Sequence, residues 1–217
     1  MSAHYIVCLI GLIALNCLAQ ESSFEDLFRE AFECSYCPDS VQLALYTKVI
    51  DRGVDRPADA SNIQNAFANR ARLYDKTGEY QKAIDDFETA LAIGPEDYFL
   101  RRELGTAYLQ AQKYRDALRE LDLYISRAEK EMQEALEAFA VDTSAAHSTE
   151  TLSDLADSRR RIKSRFLSEL AIAYNNRGIA KGNLRKHEAA CADFRKAYEA
   201  GMRELKYFIE SECGDDE

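Results

Sequence analysis

The chain has 217 residues, of which 47% are hydrophobic and 30% are charged, so it can bury a substantial core and has the composition of neither a disordered chain nor an integral membrane protein. Its three prolines leave long stretches free to form helix. The formal net charge of −10 argues against nucleic acid as the main partner, because binding phosphate requires clustered Lys and Arg.

The first 19 residues have the features of a secretory signal peptide. Residues 5–15 are apolar and uncharged, and this stretch is shorter than an ordinary transmembrane helix. Cys17 and Ala19 place small residues at positions −3 and −1 of a cleavage site before Gln20. The start of the chain lacks Lys and Arg, so a retained membrane anchor is the alternative. We therefore expect a secreted or periplasmic protein that begins at Gln20 and associates with a membrane only if residues 1–19 are retained.

Residues 20–63 are predicted to form an irregular pair of helices. The first helix has an apolar stripe at helical spacing: Phe24, Leu27, Phe28, Ala31 and Phe32. The segment 34–40 breaks this helix, and residues 41–52 resume it. Gly53 then has the position of a C-terminal helix cap.

Residues 64–97 carry large and small side chains at defined positions. With Gln64 as position 1, aromatic residues occupy positions 4, 11, 17 and 24: Phe67, Tyr74, Tyr80 and Phe87. Alanine occupies positions 8, 20 and 27: Ala71, Ala83 and Ala90. Gly78 lies in the predicted turn between two helices, and Pro95 ends the second helix. This pattern resembles the tetratricopeptide repeat (TPR), whose unit is two antiparallel helices over 34 residues.

Two further segments repeat this pattern. Residues 98–131 place Gly105 at position 8 and Tyr108 at position 11, and residues 171–204 place Gly178 at position 8 and Phe194 at position 24. The first two copies together span residues 64–131. The resemblance implies an all-α protein, a right-handed α-solenoid of TPR helix pairs.

An insertion separates the second copy from the third. A regular array would begin the third copy at residue 132, yet that copy begins at residue 171, so 39 residues are extra. Apolar residues at helical spacing leave the second copy through Phe139 and enter the third from Leu152 onward. We therefore predict that residues 132–170 lengthen two repeat helices into a projecting helical hairpin. The insertion leaves open whether the third copy continues the surface of the second.

Residues 159–165 form the only basic run, Arg-Arg-Arg-Ile-Lys-Ser-Arg. One interpretation is a docking patch for an acidic partner or an anionic lipid surface. The alternative is a solvated face neutralised by acids on the opposing helix, namely Glu129, Glu131, Glu134 and Glu137. Beyond the third copy, residues 205–217 are predicted to form a capping helix and a short tail, because a solenoid needs a cover for its last apolar stripe.

Four cysteines remain after removal of the predicted signal peptide: Cys34, Cys37, Cys191 and Cys213. They allow three pairings. Cys191 lies ten residues before Gly201 and Cys213 lies twelve residues after it, so a turn at Gly201 would place the two opposite each other. We therefore favour a Cys191–Cys213 disulfide with a second disulfide between Cys34 and Cys37. A zinc site is disfavoured because a second ligand pair is missing.

The resemblance also implies a binding surface on the first helix of each repeat, at positions 2, 5, 6, 9, 12 and 13, which line the concave face in this family. The partner-binding residues expected on this basis are Asn65, Asn69, Arg72, Lys76, Phe99, Arg102, Thr106, Gln110, Asn175, Asn176 and Ile179. Asn and Arg can hydrogen-bond the backbone of an extended peptide. Chaperone-binding members use Lys at position 5 and Asn at position 9 to hold a terminal carboxylate. This chain has Ala68 and Arg72 there, so that activity is not carried over.

The sequence contains no G-x-S-x-G, no phosphate-binding glycine loop and no H-E-x-x-H. We therefore expect neither an enzyme nor a cofactor or metal site. The expected function is an adaptor or scaffold that binds a protein or peptide on its concave face. One alternative is a structural component of the cell envelope, tethered by an uncleaved N-terminus and assembling through the hairpin. Another is a thiol-active protein that uses Cys34 and Cys37, although the βαβ context of such proteins is missing.

Overall fold

The structure is a computed structural model that describes residues 23–34, 36–53, 57–145 and 152–214. The predicted signal peptide, residues 1–19, lies outside these ranges. All secondary structure within them is helical, which confirms the predicted all-α class. The principal helices are α1 Phe24–Glu33, α2 Asp39–Gly53, α3 Ala60–Lys76, α4 Tyr80–Ile93, α5 Tyr98–Gln110, α6 Tyr114–Ala145, α7 Leu152–Asn183 and α8 His187–Glu199.

The chain divides into two compact units, residues 1–70 and residues 71–217, and the division falls within α3. In the first unit α1 packs against α2 and buries an apolar stripe made of Phe24, Leu27 and Ala31. Phe32, which the sequence pattern placed on the same stripe, is exposed. A disulfide joins Cys34 to Cys37 at the break between the two helices.

In the second unit each helix from α4 to α8 packs against the next one along the chain. The turns that follow α3, α5 and α7 share one backbone geometry. Gly78, Gln112 and Arg185 occupy position 15 of their repeats and have positive φ angles of 81°, 59° and 60°. In each turn the next residue's amide bonds the carbonyl five residues earlier, as in a C-terminal helix cap. Because only glycine adopts this conformation without steric cost, the helices on either side impose it on Gln112 and Arg185.

Small residues at position 8 allow the two helices of a repeat to approach closely. A Cβ atom on Gly105 would lie 2.8 Å from Cγ of Leu121, and a Cβ atom on Gly178 would lie 2.8 Å from Cε1 of Phe194. Contacts of this kind are shorter than packed carbon atoms tolerate. The glycines therefore let α5 approach α6 and let α7 approach α8 at these points.

Acidic side chains at position 23 are buried in all three repeats: Asp86, Glu120 and Asp193. Glu120 of α6 bonds Arg101 of α5 at 3.0 Å. Asp193 of α8 accepts two hydrogen bonds from Arg177 of α7, at 2.6 and 2.8 Å, and an ion pair of 2.7 Å joins it to Lys181. In these two repeats a buried ion pair therefore links the first helix to the second.

The inserted residues lengthen helices that also belong to repeats. Helices α6 and α7 each have 32 residues, whereas the repeat helices α4, α5 and α8 have 13 or 14. The long helices pack against each other, and α5 also contacts α7 directly. The third copy therefore adjoins the second, because the insertion projects from the helix ends. The domain boundaries given above remain predictions.

The C-terminal segment packs against α8 but is not one regular helix. A 3-10 turn at Arg203–Leu205 is followed by a single α-turn (α9, Lys206–Phe208) and a π-helical turn at Ile209–Cys213. A disulfide joins Cys213 to Cys191, with the two Cα atoms 5.5 Å apart. The ring of Phe208 packs edge-on against Phe194, with ring centres 5.0 Å apart. The C-terminal segment therefore packs on Cys191 and Phe194 of α8 with an irregular backbone instead of the continuous helix expected.

Candidate binding face of the second unit

The residues that the family pattern assigns to the concave face of the second unit belong to the last residues of α3, to α5 and to α7. Helices α5 and α7 are linked by polar contacts. Asn176 donates a hydrogen bond from Nδ2 to Oγ1 of Thr106 at 3.0 Å, and Arg102 pairs with Glu169 at 3.0 Å. The predicted residues Arg102, Thr106 and Asn176 thus come together, although 70 residues separate Thr106 from Asn176 in the chain.

Arg72 links the end of α3 to α5. Its Nε lies 3.1 and 3.0 Å from the two carboxylate oxygens of Glu103, and its Nη2 lies 2.8 Å from one of them. Burial, and then the nearby charge of Glu103, raise the pKa of Asp75 above its usual range. Acids within the unit pair with both Arg72 and Arg102, but the Arg72 side chain is 46% exposed whereas only 20% of the Arg102 side chain is exposed.

Apolar side chains are exposed on the same helices. Phe99 is 51% exposed, Ile172 is 37% exposed and Ile179 is 38% exposed. Phe99 precedes Arg102 by three residues, so these two share a helix face. Ile172 and Ile179 lie four residues before and three residues after Asn176, so they flank the Thr106 contact on α7. An exposed apolar stripe therefore accompanies the polar contacts.

A pocket of about 370 Å³ opens where α5, α6 and α7 meet. Its lining is mainly aromatic and carboxylate side chains, with one arginine: Tyr98, Phe99, Tyr124, Ala128, Glu131, Arg165, Phe166 and Glu169. The ring centres of Tyr98 and Phe99 are 4.3 Å apart, and those of Tyr98 and Tyr124 are 5.7 Å apart. Burial raises the pKa of Tyr124 to about 12, although the nearby Arg102 opposes that rise. The pocket offers flat apolar surface with charged groups at its edge, which is suitable for one large side chain of a ligand.

The remaining predicted residues are distributed unevenly. Lys76 and Gln110 are exposed and Asn175 is half-buried. Asn65 is exposed and Asn69 is half-buried, and both belong to the first unit. The sequence reasoning missed Tyr98, Tyr124 and Phe166, because none of them occupies a repeat position that faces the groove in the family. The adjacent aromatic residues at 98 and 99, which open the second copy, were the available signal.

Neither a metal site nor a membrane span is found in the part of the chain that the structure describes. No three His, Cys, Asp or Glu side chains there are grouped so that they could hold a metal ion. None of the helices in the same ranges is long and apolar enough to cross a membrane.

The fold and this face define an all-α repeat protein in which paired helices carry small residues at their closest contacts. Family models of the tetratricopeptide repeat match residues 65–97 and residues 171–200. The chain therefore contains tetratricopeptide repeats in these two segments. Its repeats support a role as a scaffold for protein–protein interaction, and proteins of this family are typically scaffolds without catalytic activity.

Several solved structures are similar to the chain at low sequence identity. A MamA double mutant (RS-1 ArsTM) is 15% identical, with 84% of this chain and 97% of that chain covered and a TM-score of 0.44. BtubC from P. vanneervenii is 16% identical, with 91% and 95% covered and a TM-score of 0.39. A tetratricopeptide repeat protein from Parabacteroides merdae is 18% identical, with 86% and 97% covered and a TM-score of 0.27. A search of curated proteins gave no match. The family assignment therefore rests on the repeat matches.

Proposed function

We propose that the protein is an adaptor that binds an extended peptide, or an extended segment of a protein, along α5 and α7. The observation that carries this proposal is the exposed apolar stripe of Phe99, Ile172 and Ile179 beside the aromatic pocket. Exposed large apolar side chains that cluster on one face are typical of interaction sites. The binding energy then comes mainly from an apolar anchor in the pocket and from burial of the two isoleucines.

The charged residues of the face have a different role in this proposal. Arg72 and Arg102 already pair with Glu103 and Glu169, so a ligand gains little by replacing those acids. Asn175 is half-buried on the same stretch of α7 and has amide groups that suit a peptide backbone. The ligand class that fits is a peptide with one aromatic or large aliphatic anchor. The net charge of −10 favours a protein ligand over nucleic acid.

A peptide library displayed on phage provides a probe that does not require the natural partner to be known. Peptides selected on the wild-type protein should share an aromatic or large aliphatic residue. They should lose at least about tenfold in affinity against Phe99→Glu or Ile179→Glu, because a charge in the contact would have to be desolvated.

Leu123→Glu is the matched control. Leu123 is also an exposed large apolar side chain, 48% exposed, but it lies on α6 and lines neither the stripe nor the pocket. Peptides that bind the Phe99 and Ile179 variants as well as they bind the wild type would refute the assignment of the face. Circular dichroism of each variant establishes that its helices are intact.

We also propose that the mature protein is secreted or periplasmic. The two disulfides support this compartment, because such bonds persist in oxidising environments. Intact-mass measurement of the native protein should show a chain that begins at Gln20. A mass that still includes residues 1–19 would favour the tethered alternative instead.

A further inference from the structure

The hairpin formed by the lengthened parts of α6 and α7 contains a groove of about 600 Å³. Its lining combines apolar and basic side chains: Leu136, Phe139, Ala140, Leu155, Ala156, Arg159, Arg160 and Lys163. The apolar residues come from both helices and all three basic residues come from α7. The groove is therefore apolar along its floor and positively charged along its α7 side.

Among the described residues, one of the three basic side chains of the groove has an ion-pair partner. Arg160 pairs with Asp157 on its own helix at 2.7 Å. Among the residues that the structure describes, Arg159 and Lys163 have no ion-pair partner. The acids expected to neutralise this run contact other side chains: Glu129 bonds Tyr174, Glu131 bonds Tyr98, Glu134 pairs with Lys130 and Glu137 bonds Gln133.

The α6 side of the hairpin carries the opposite charge. Glu134, which pairs with Lys130, and Glu137 are both exposed there, and both lie outside the groove lining. The hairpin thus has a basic side on α7 and an acidic side on α6, with an apolar floor between them. Such a surface is complementary to itself, because a two-fold rotation places the acidic side of one copy against the basic side of the other.

We propose that this groove is an interface between two copies of the chain, in which the two hairpins pack as an antiparallel four-helix arrangement. An acidic helix from another protein would satisfy the α7 side but would be repelled by Glu134 and Glu137. An anionic lipid surface would meet the same repulsion. A second copy satisfies both sides and covers the apolar floor.

The size of the hairpin determines how strong this contact is. Residues 132–145 span about 20 Å of helix at 1.5 Å per residue, and two helices side by side are roughly 20 Å wide. Two such faces bury about 800 Å² in total, which is smaller than a stable specific interface and in the range of weak, transient contacts. The dimer is therefore weak and dissociates on dilution, and it strengthens at low salt because exposed charges contribute to it.

Sedimentation velocity of the full chain tests this proposal over a concentration range of about 1 µM to 1 mM. The wild type should pass from monomer to dimer within this range. Arg159→Glu with Lys163→Glu should weaken the dimer at least about tenfold, and so should Glu134→Lys with Glu137→Lys, because each variant opposes like charges.

An equimolar mixture of the two charge-reversed variants should restore dimerisation, since every contact in the mixed dimer again joins opposite charges. This restoration cannot be produced by variants that have simply lost their fold. Arg115→Glu with Lys186→Glu is the matched control, because these two exposed residues lie outside the groove. The Phe99→Glu variant should dimerise normally, which separates this test from that of the peptide-binding face.

Three outcomes would overturn the proposal. The first is a wild type that stays monomeric throughout the range. The second is a mixture that dimerises no better than either variant alone. The third is a monomeric wild type that floats with vesicles of an anionic phospholipid and loses that binding in the Arg159 and Lys163 variant, since the occupant of the groove would then be a lipid surface.

Discussion

The buried carboxylate of Asp193 supports the sharpest test of how the third repeat is held together. Only 3% of its side chain is exposed, and it bonds both Arg177 and Lys181. Asp193→Ala removes the shared partner of these two cations but leaves both largely buried. Breaking a buried ion pair from one side costs about 3–5 kcal/mol. Arg177 keeps a 2.7 Å contact to Asp122, so we expect the lower end, about 3 kcal/mol.

Thermal unfolding followed by circular dichroism measures this effect. For a chain of this size 1 kcal/mol lowers Tm by about 2–4 °C, so Asp193→Ala should lower Tm by roughly 6–12 °C. Asp157→Ala is the matched control, because Asp157 also pairs with an arginine on a helix but both partners are exposed. An exposed pair contributes about 0–1 kcal/mol, so the control should shift Tm by no more than about 4 °C.

Apolar replacement of all three charged groups provides a second test of the same cluster. If Asp193→Ala is destabilising because Arg177 and Lys181 stay buried without their shared partner, then replacing all three charged groups by apolar ones should recover most of the lost stability. The variant for this purpose is Asp193→Leu with Arg177→Met and Lys181→Met. Equal Tm shifts for Asp193→Ala and Asp157→Ala would refute the view that the buried charge stabilises the repeat. Hydrogen exchange of α7 and α8 amides would localise the loss.

The other predictions concern packing, the C-terminal cap and pH. Gly178→Leu should cost about 1–3 kcal/mol or more, because its side chain would enter the contact with Phe194, and an unchanged Tm would mean that the repeat register is wrong. Cys213→Ser should cost about 3 kcal/mol by opening a loop of 22 residues, and peptide mapping of the native protein that finds Cys191 paired elsewhere, or free, would contradict the assignment. Because the pKa of Asp75 is raised, ionising this carboxyl lowers the stability of the folded state. This loss of stability is absent at pH values below the ordinary pKa of 3.8 and grows as the pH rises towards the folded-state pKa. Asp75→Asn should therefore raise the urea midpoint at neutral pH and leave it unchanged near pH 3, and an equal increase at both pH values would contradict this.

The fold was predictable from the sequence because close helix packing requires small residues at particular repeat positions. A glycine or alanine at position 8 is required wherever two helices approach closely, and Gly105 and Gly178 meet that requirement against Leu121 and Phe194. These positions recur at a fixed period, so they also located the insertion and the lengthened helices. The irregular cap was not predictable, because a 3-10 turn and a π-turn leave no periodic signal in so short a segment.

The candidate face was only partly predictable. Repeat positions identify the residues expected on the concave face, but they do not predict which charged side chains form ion pairs with each other. Arg72 and Glu103 are 31 residues apart, and their pairing depends on how side chains reach between neighbouring helices. The aromatic pocket was missed for a similar reason, since Tyr98 and Phe166 come together only when α5 and α7 are adjacent.

The position of the insertion also means that the length of the hairpin can change without altering the repeats. Its residues extend α6 and α7 beyond their repeats, so the contact between Thr106 and Asn176 does not depend on how far the two helices project. Removing seven residues from each helix would retract the tip by about 10 Å and keep the same helix faces in register. The hairpin can therefore be shortened by whole heptads without any change in the repeats of the second unit that support it.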